Sequence, residues 1–287
     1  MINRLFAFVC WLIVTTHAAN AQTKIPYGNN PQTGHYYNVG DAKIYYEIYG
    51  KGKPVVLLHG GLFGYIDEYE FLIPKLAQTH QVIAIGTRGH AKSEIGTKAL
   101  SYTQLADDAY QVIRSLTKDS VIVVGFSDGG ITGYNLTAKH PELVRKLIAI
   151  GSPRRSADRA LSMQEEGKMT AERLDKMAPD FVKSRKQLMP EPARWNELLD
   201  KLDGLWNQPT FITDAAIQQL PCPVLLMAGD KDPYFKTEKL LETYRLLQTG
   251  RLSLIPNCGH VVLYCNFPAV WEAISPFINE SIKPTKQ

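Results

Sequence analysis

The stretch "SVIVVGFSDGG", residues 120–130, leads an unbroken apolar run into a serine held between glycines. Such a block, bounded by turn residues, predicts a strand buried on both faces, as in a parallel sheet. The G-x-S-x-G at its end (Gly125, Ser127, Gly129) predicts a sharp strand-to-helix turn. Small neighbours let chain and helix approach closely. The serine then sits at a helix N-terminus, where backbone N–H groups can meet a developing negative charge.

The same rhythm extends in both directions. "KIYYEIYG" (43–50) alternates like a strand, and "PVVLLHG", "QVIAIG", "KLIAIG" and "PVLLMAG" each end in glycine. Helical patterns lie between them. In "SYTQLADDAYQVIRSLT", Ser101 precedes Gln104 at capping-box spacing, and Leu105, Ala109, Val112, Ile113 and Leu116 form one apolar face. "GITGYNLTAKHPELV" and "TEKLLETYRLLQ" are further helical segments. This alternation predicts an α/β fold with a mostly parallel sheet flanked by helices, and a ligand site beyond the carboxyl ends of the strands. Residues 152–215 break the rhythm. They hold no strand-like run, are rich in charge and helix formers, and carry Pro179, Pro190, Pro192 and Pro209 as breakers. A helical insertion over the strand ends is expected, either roofing a pocket with Met163, Met169, Met177, Met189, Trp195 and Trp206 or packing them into its own core.

The chain has 287 residues and a formal charge of +4, with both signs interspersed. No basic block or aromatic repeat points to nucleic acid. The first 21 residues read as a signal peptide: Arg4, an apolar run from Leu5 to Val14, and Ala19-Asn20-Ala21 before Gln22. The run of roughly 10 apolar residues is too short for a bilayer that needs about 20. An exported protein, periplasmic or secreted, is expected, with no membrane segment after cleavage. Cys10 is lost with the signal, leaving Cys222, Cys258 and Cys265. Export permits one disulfide, and Cys258–Cys265 is the pair closest in sequence; free buried thiols are the alternative. No CxxC or Cys/His ligand cluster occurs, so a metal site has no sequence support.

A serine hydroxyl needs a base to remove its proton and a third group to orient that base. His260, in "PNCGHVVLY", follows the strand-like "RLSLI", and Asp232, in "AGDKDPYF", follows "PVLLM". Both are expected at strand ends, and the order Ser, Asp, His suits this architecture. His35, His80, His90 and His140 fall in a leader or in polar loops. His59 heads "HGGLFG", whose glycines let backbone N–H groups face the serine.

Four pieces in this order, "HGG" (59–61), "TRGHAKS" (87–93), "GFSDGG" (125–130) and "GDKD" with "CGH", resemble the α/β-hydrolase superfamily from about Lys43 onward. The resemblance implies an α/β-hydrolase core in residues 22–151 and 216–287 with a helical cap at 152–215. It makes Ser127 the nucleophile, His260 the general base and Asp232 its orienting acid, with Asp230 the competitor. The oxyanion hole would use the N–H of Asp128 and of Gly61, with Leu62 as the alternative. Gly86 and Ala91 depart from the family's D-x-R-G-H-G-x-S, which bears on loop geometry; Arg88 and His90 are read as structural. For the Asp128 side chain an N-cap interaction is expected; pointing into the pocket instead, it would favour cationic substrates. The implied activity is hydrolysis of an ester or lactone of a small molecule, through an acyl-enzyme and without a cofactor. Carbon–carbon bond hydrolases, aminopeptidases, perhydrolases and binding proteins that retain the triad share the same residues.

Overall fold

The computed structural model describes residues 25–62, 64–159 and 169–281. The expected signal peptide and Met163 lie outside them. Eight strands, β1 (Gly34–Asn38), β2 (Lys43–Tyr49), β3 (Lys53–Leu58), β4 (His80–Ile85), β5 (Val121–Phe126), β6 (Val144–Ile150), β7 (Val224–Gly229) and β8 (Gly250–Ile255), form one sheet in the order 1-2-4-3-5-6-7-8. The β1–β2 and β2–β4 pairs are antiparallel, and every pair from β4 to β8 is parallel.

The apolar runs are continuous because both faces of the sheet are covered. Along β5, Val121 and Val123 join a core with Val112 and Ile113 of α2 (Tyr102–Leu116) and Leu136 of α3 (Asp128–Lys139). Ile122, Val124 and Phe126 point to the opposite face and pack with Leu72 and Leu76 of α1 (Leu72–Leu76). Alternate residues of one strand thus feed two cores, each burying side chains worth about 1.5–3 kcal/mol apiece. Ser101 caps α2 as its spacing predicts, its hydroxyl accepting the Gln104 N–H at 3.0 Å. The helix after Ser127 ends at Lys139, earlier than "GITGYNLTAKHPELV" suggests, because Pro141 cannot continue it. β1 was not expected: His35 lies in this edge strand, stacked on Tyr46, and not in an unstructured leader.

Between β6 and β7, residues 171–206 form α4 (Ala171–Met177), α5 (Pro179–Leu188) and α6 (Trp195–Trp206). Trp195, Leu198, Leu199, Leu202 and Leu205 make one buried face of α6 and pack with Leu62, Tyr102, Leu105 and Ile131 of the sheet half. Met189 and Trp195 are buried in this cluster, the core role the sequence allowed. The two ends of the segment are clasped, since the Arg154 carbonyl accepts the N–H groups of Phe211 and Ile212. No helix among the described residues is long and apolar enough to cross a membrane.

Candidate active site

Register brings the functional loops to one level. Leu58 of β3 pairs with Gly125, Phe126 pairs with Ile150 of β6, and Ile150 pairs with Met227 of β7. The chain therefore leaves the sheet at neighbouring points after β3, β5, β6 and β7.

Ser127 has φ 52° and ψ −118°, a left-handed conformation that costs a non-glycine residue about 1–3 kcal/mol. Its N–H donates to the Ile150 carbonyl at 2.7 Å, and its carbonyl accepts from Gly130 and Ile131 at the start of α3. The flanking glycines are a steric necessity: a Cβ on Gly129 would lie 1.8 Å from the Leu58 carbonyl oxygen, and one on Gly125 would lie 2.3 Å from that of Gly129. The turn turns the Ser127 hydroxyl toward the loop that follows β8. There His260 Nε2 lies 3.0 Å from Ser127 Oγ, and His260 Nδ1 lies 2.7 Å from Asp232 Oδ2. With Nδ1 against a carboxylate, that nitrogen carries the proton and Nε2 is free to accept from the hydroxyl. The Asp232 side chain is fully buried, and its Oδ1 accepts the N–H groups of Tyr234 and Phe235 at 2.8 and 3.1 Å. Asp230, the competitor, instead accepts the Cys258 N–H. Phe126 and Tyr234 pack against the imidazole, with ring centroids 4.9 and 5.2 Å away.

A cavity of about 370 Å³ opens over these groups, within the range of small-molecule sites. Gly61, Leu62, Ser127, Asp128 and His260 line it from the sheet side; Met169, Met177, Trp206 and Phe211 line it from the insertion. The Gly60 N–H is taken by the Glu68 carboxylate at 2.9 Å, which leaves Gly61 and Leu62 as the loop's candidate donors beside Asp128. His59 anchors that loop. Its Nε2 accepts the Thr87 N–H at 2.9 Å, so Nδ1 carries the proton and donates to the Gly60 carbonyl at 2.7 Å. Burial keeps His59 well below the usual imidazole range and lowers His90 to about 4. Arg88 forks between Asp108 and Asp41, holding the Asp41 carboxyl well below the usual carboxylate range. His59, Arg88 and His90 are thus engaged in holding loops.

The expectation for the Asp128 side chain is corrected. It makes no N-cap bond; Oδ1 accepts from the Tyr102 hydroxyl at 2.9 Å and Oδ2 from Trp206 Nε1 at 2.7 Å. Two strong donors outcompete the helix's own N–H groups, and burial pushes this carboxyl up. The sequence also gives no sign of Glu68, whose carboxyl lines the cavity and is pushed up to about 8 by burial. Cys258 and Cys265 form a disulfide, and Cys222 is a buried free thiol. No group of three or more His, Cys, Asp or Glu side chains among the described residues is placed to hold a metal ion.

The family model for the alpha/beta hydrolase fold matches residues 54–197. The chain belongs to the α/β-hydrolase family. A provisionally named esterase/lipase of Haemophilus influenzae is 36% identical over 250 residues, covering 79% of this chain and 84% of the relative. The 2-hydroxy-6-oxo-6-(2'-aminophenyl)hexa-2,4-dienoic acid hydrolase of Metapseudomonas resinovorans is 27% identical over 253 residues, covering 78% and 83%. The crystal structure of a meta-cleavage product hydrolase from Pseudomonas fluorescens superposes with a TM-score of 0.70 at 20% identity, covering 87% of this α/β-hydrolase and 99% of that chain. The two sequence relatives support a hydrolase, and the structural likeness shows the fold.

Proposed function

We propose that this α/β-hydrolase is an exported serine hydrolase that cleaves an ester or lactone of a small molecule. The observation that carries the reading is the unbroken hydrogen-bond path from Ser127 Oγ through His260 to Asp232 at the floor of the cavity. In this mechanism Ser127 Oγ attacks the acyl carbonyl carbon while its proton passes to His260 Nε2. Asp232 holds Nδ1–H and stabilises the imidazolium. The oxyanion is met by the N–H of Asp128 and of Gly61, with Leu62 as the alternative donor. His260 then protonates the leaving alkoxide, and a water deprotonated by His260 releases the acid and restores Ser127.

Residues 152–215 act here as a cap that screens the acyl-enzyme, a role supported by the cavity-facing Met169, Met177 and Trp206. Export is supported by the signal-like first 21 residues and by the disulfide, since such bonds persist in oxidising compartments. A carbon–carbon bond hydrolase is the second reading, favoured by the activity of the Metapseudomonas relative. Fluorophosphonate labelling of the folded protein, read by intact mass, tests the shared first step. A single adduct, absent in Ser127→Ala, is expected; no adduct on folded wild type would overturn the hydrolase reading. Turnover of p-nitrophenyl esters without cleavage of a vinylogous 1,5-diketone then separates the ester reading from its rival.

A further inference from the structure

We infer that the Cys258–Cys265 disulfide is a positioning device for His260, closing into a ring the short loop that carries this base. The inference rests on the hydrolase reading above. The two Cα atoms are 5.7 Å apart, and His260 lies between the cysteines in sequence. The two ends of the ring differ. Cys258 is buried and locked to the loop bearing the acid: its carbonyl accepts the Lys231 N–H at 2.9 Å and its N–H reaches Asp230 at 3.3 Å. The contact is close enough that a Cβ on Gly229 would lie 2.1 Å from the Cys258 carbonyl oxygen. Cys265, at the end of the single-turn helix Val262–Cys265, is exposed, as are Val261 and Tyr264 beside it.

After His260 the chain alternates: Val262 and Leu263 are buried in the core, while Val261, Tyr264 and Cys265 stand at the surface. The disulfide fastens the outer side of this turn back onto the buried residue that already touches the Asp232 loop. A hydrogen bond from the Tyr264 hydroxyl to the Asp67 carbonyl, 2.8 Å, is a second, exposed tie. The entropy that a cross-link removes from the unfolded chain varies only with the logarithm of loop length, so even this short loop stabilises the fold as a whole. In the native state its constraint falls on the residues between the two cysteines. It narrows the positions from which Nε2 meets the Ser127 hydroxyl, and a misplacement of about 1 Å at a reacting group costs on the order of 10²-fold in rate.

The test compares the oxidised protein with Cys258→Ala/Cys265→Ala at a temperature well below both melting points. The fluorophosphonate labelling rate of Ser127 and the kcat and KM for p-nitrophenyl acetate are measured. Labelling and kcat are expected to fall by about tenfold or more in the variant, with KM within about twofold. Should the variant fail to fold, the wild type reduced in place by dithiothreitol is expected to show the same loss, reversed on reoxidation. Unchanged labelling and kcat in the variant or the reduced protein, even with a lowered melting point, would make the disulfide a stabiliser only and overturn the inference. So would alkylation of all three mature-chain cysteines in unreduced, denatured protein. Absence of any adduct on oxidised wild type is a different result: it removes the hydrolase reading, and the positioning role falls with it.

Discussion

Ser127 and Trp206 line the same cavity, but the chain fixes them by different means. Ser127 is set by backbone: a left-handed φ, a β6 carbonyl for its N–H, and glycines whose Cβ atoms would collide with main chain. Trp206 ends a helix of the insertion, and its polar tie to the sheet half is one side-chain bond, Nε1 to Asp128. Backbone-fixed groups cannot shift without refolding the turn, whereas a roof held by side chains can be retuned one residue at a time. If the proposed mechanism holds, this contrast predicts that changes at the strand ends move the rate for every substrate, and that changes in the insertion move apparent affinity for some of them.

The largest effect is expected at His260, the proposed base. His260→Ala should lower kcat/KM by at least about 10³-fold for every ester tested while leaving the circular dichroism spectrum unchanged. A loss of less than about tenfold would remove His260 from the role of general base and break the comparison on its rigid side.

Next in size is Glu68, whose carboxyl oxygen accepts the Gly60 N–H beneath the candidate oxyanion loop. Burial raises its carboxyl to about 8, so between the ordinary carboxylate range and that value the folded protein holds a proton that the unfolded chain has released. This contribution is full at low pH and is lost as pH rises through about 8, with a slope of up to about 1.4 kcal/mol per pH unit. Urea unfolding from pH 5.5 to 8.5 should show stability falling with pH more steeply in the wild type than in Glu68→Gln. Parallel curves would mean that the group titrates normally and that its contact with Gly60 is incidental.

How far the sequence could be read follows the same divide. The parallel strands, the serine turn and the strand-end positions of Asp232 and His260 are local facts, written in unbroken apolar runs, glycine spacing and turn residues. The contacts of the Asp128 side chain are not legible in the sequence because its partners Tyr102 and Trp206 are 26 and 78 residues distant, and only the packed structure brings two donors to one carboxyl group. Glu68 left no signal for the same reason, since its raised affinity for a proton comes from burial by distant chain. β1 escaped because "GHYYN" is a short edge strand with little burial and therefore little apolar periodicity.

On the adjustable side of the comparison, Trp206→Phe keeps an aromatic side chain, though a smaller one, and deletes the donor to Asp128. Losing a hydrogen bond to a buried carboxylate costs about 1.5–3 kcal/mol, much of it here as loosening of the roof. KM for apolar acyl esters should rise by roughly tenfold while kcat changes by less than about threefold. An equal loss in kcat would show that the insertion reaches the chemistry through Asp128, whose N–H is a candidate oxyanion donor.

The smallest effect concerns the two departures from the family pattern after β4. Ala91 sits at φ 53°, left-handed for a residue with a side chain, while a Cβ on Gly86 would lie 3.0 Å from the Ala91 methyl and 3.4 Å from Ser93 Oγ. The departures are therefore one structural choice: the methyl at 91 occupies the space that a side chain at 86 would need. Ala91→Gly relieves about 1–2 kcal/mol of backbone strain and adds about 0.5–1 kcal/mol of unfolded-state entropy, a net gain of at most about 1.5 kcal/mol. Gly86→Ala should destabilise the wild type and cost less in the Ala91→Gly background, with a coupling of at least about 0.5 kcal/mol in a double-mutant cycle by urea unfolding. Additive effects would separate the two positions. Neither change touches Ser127, so kcat should stay constant across the cycle. A rate that followed stability would show that strand-end loops remote from the serine are part of its fixed frame.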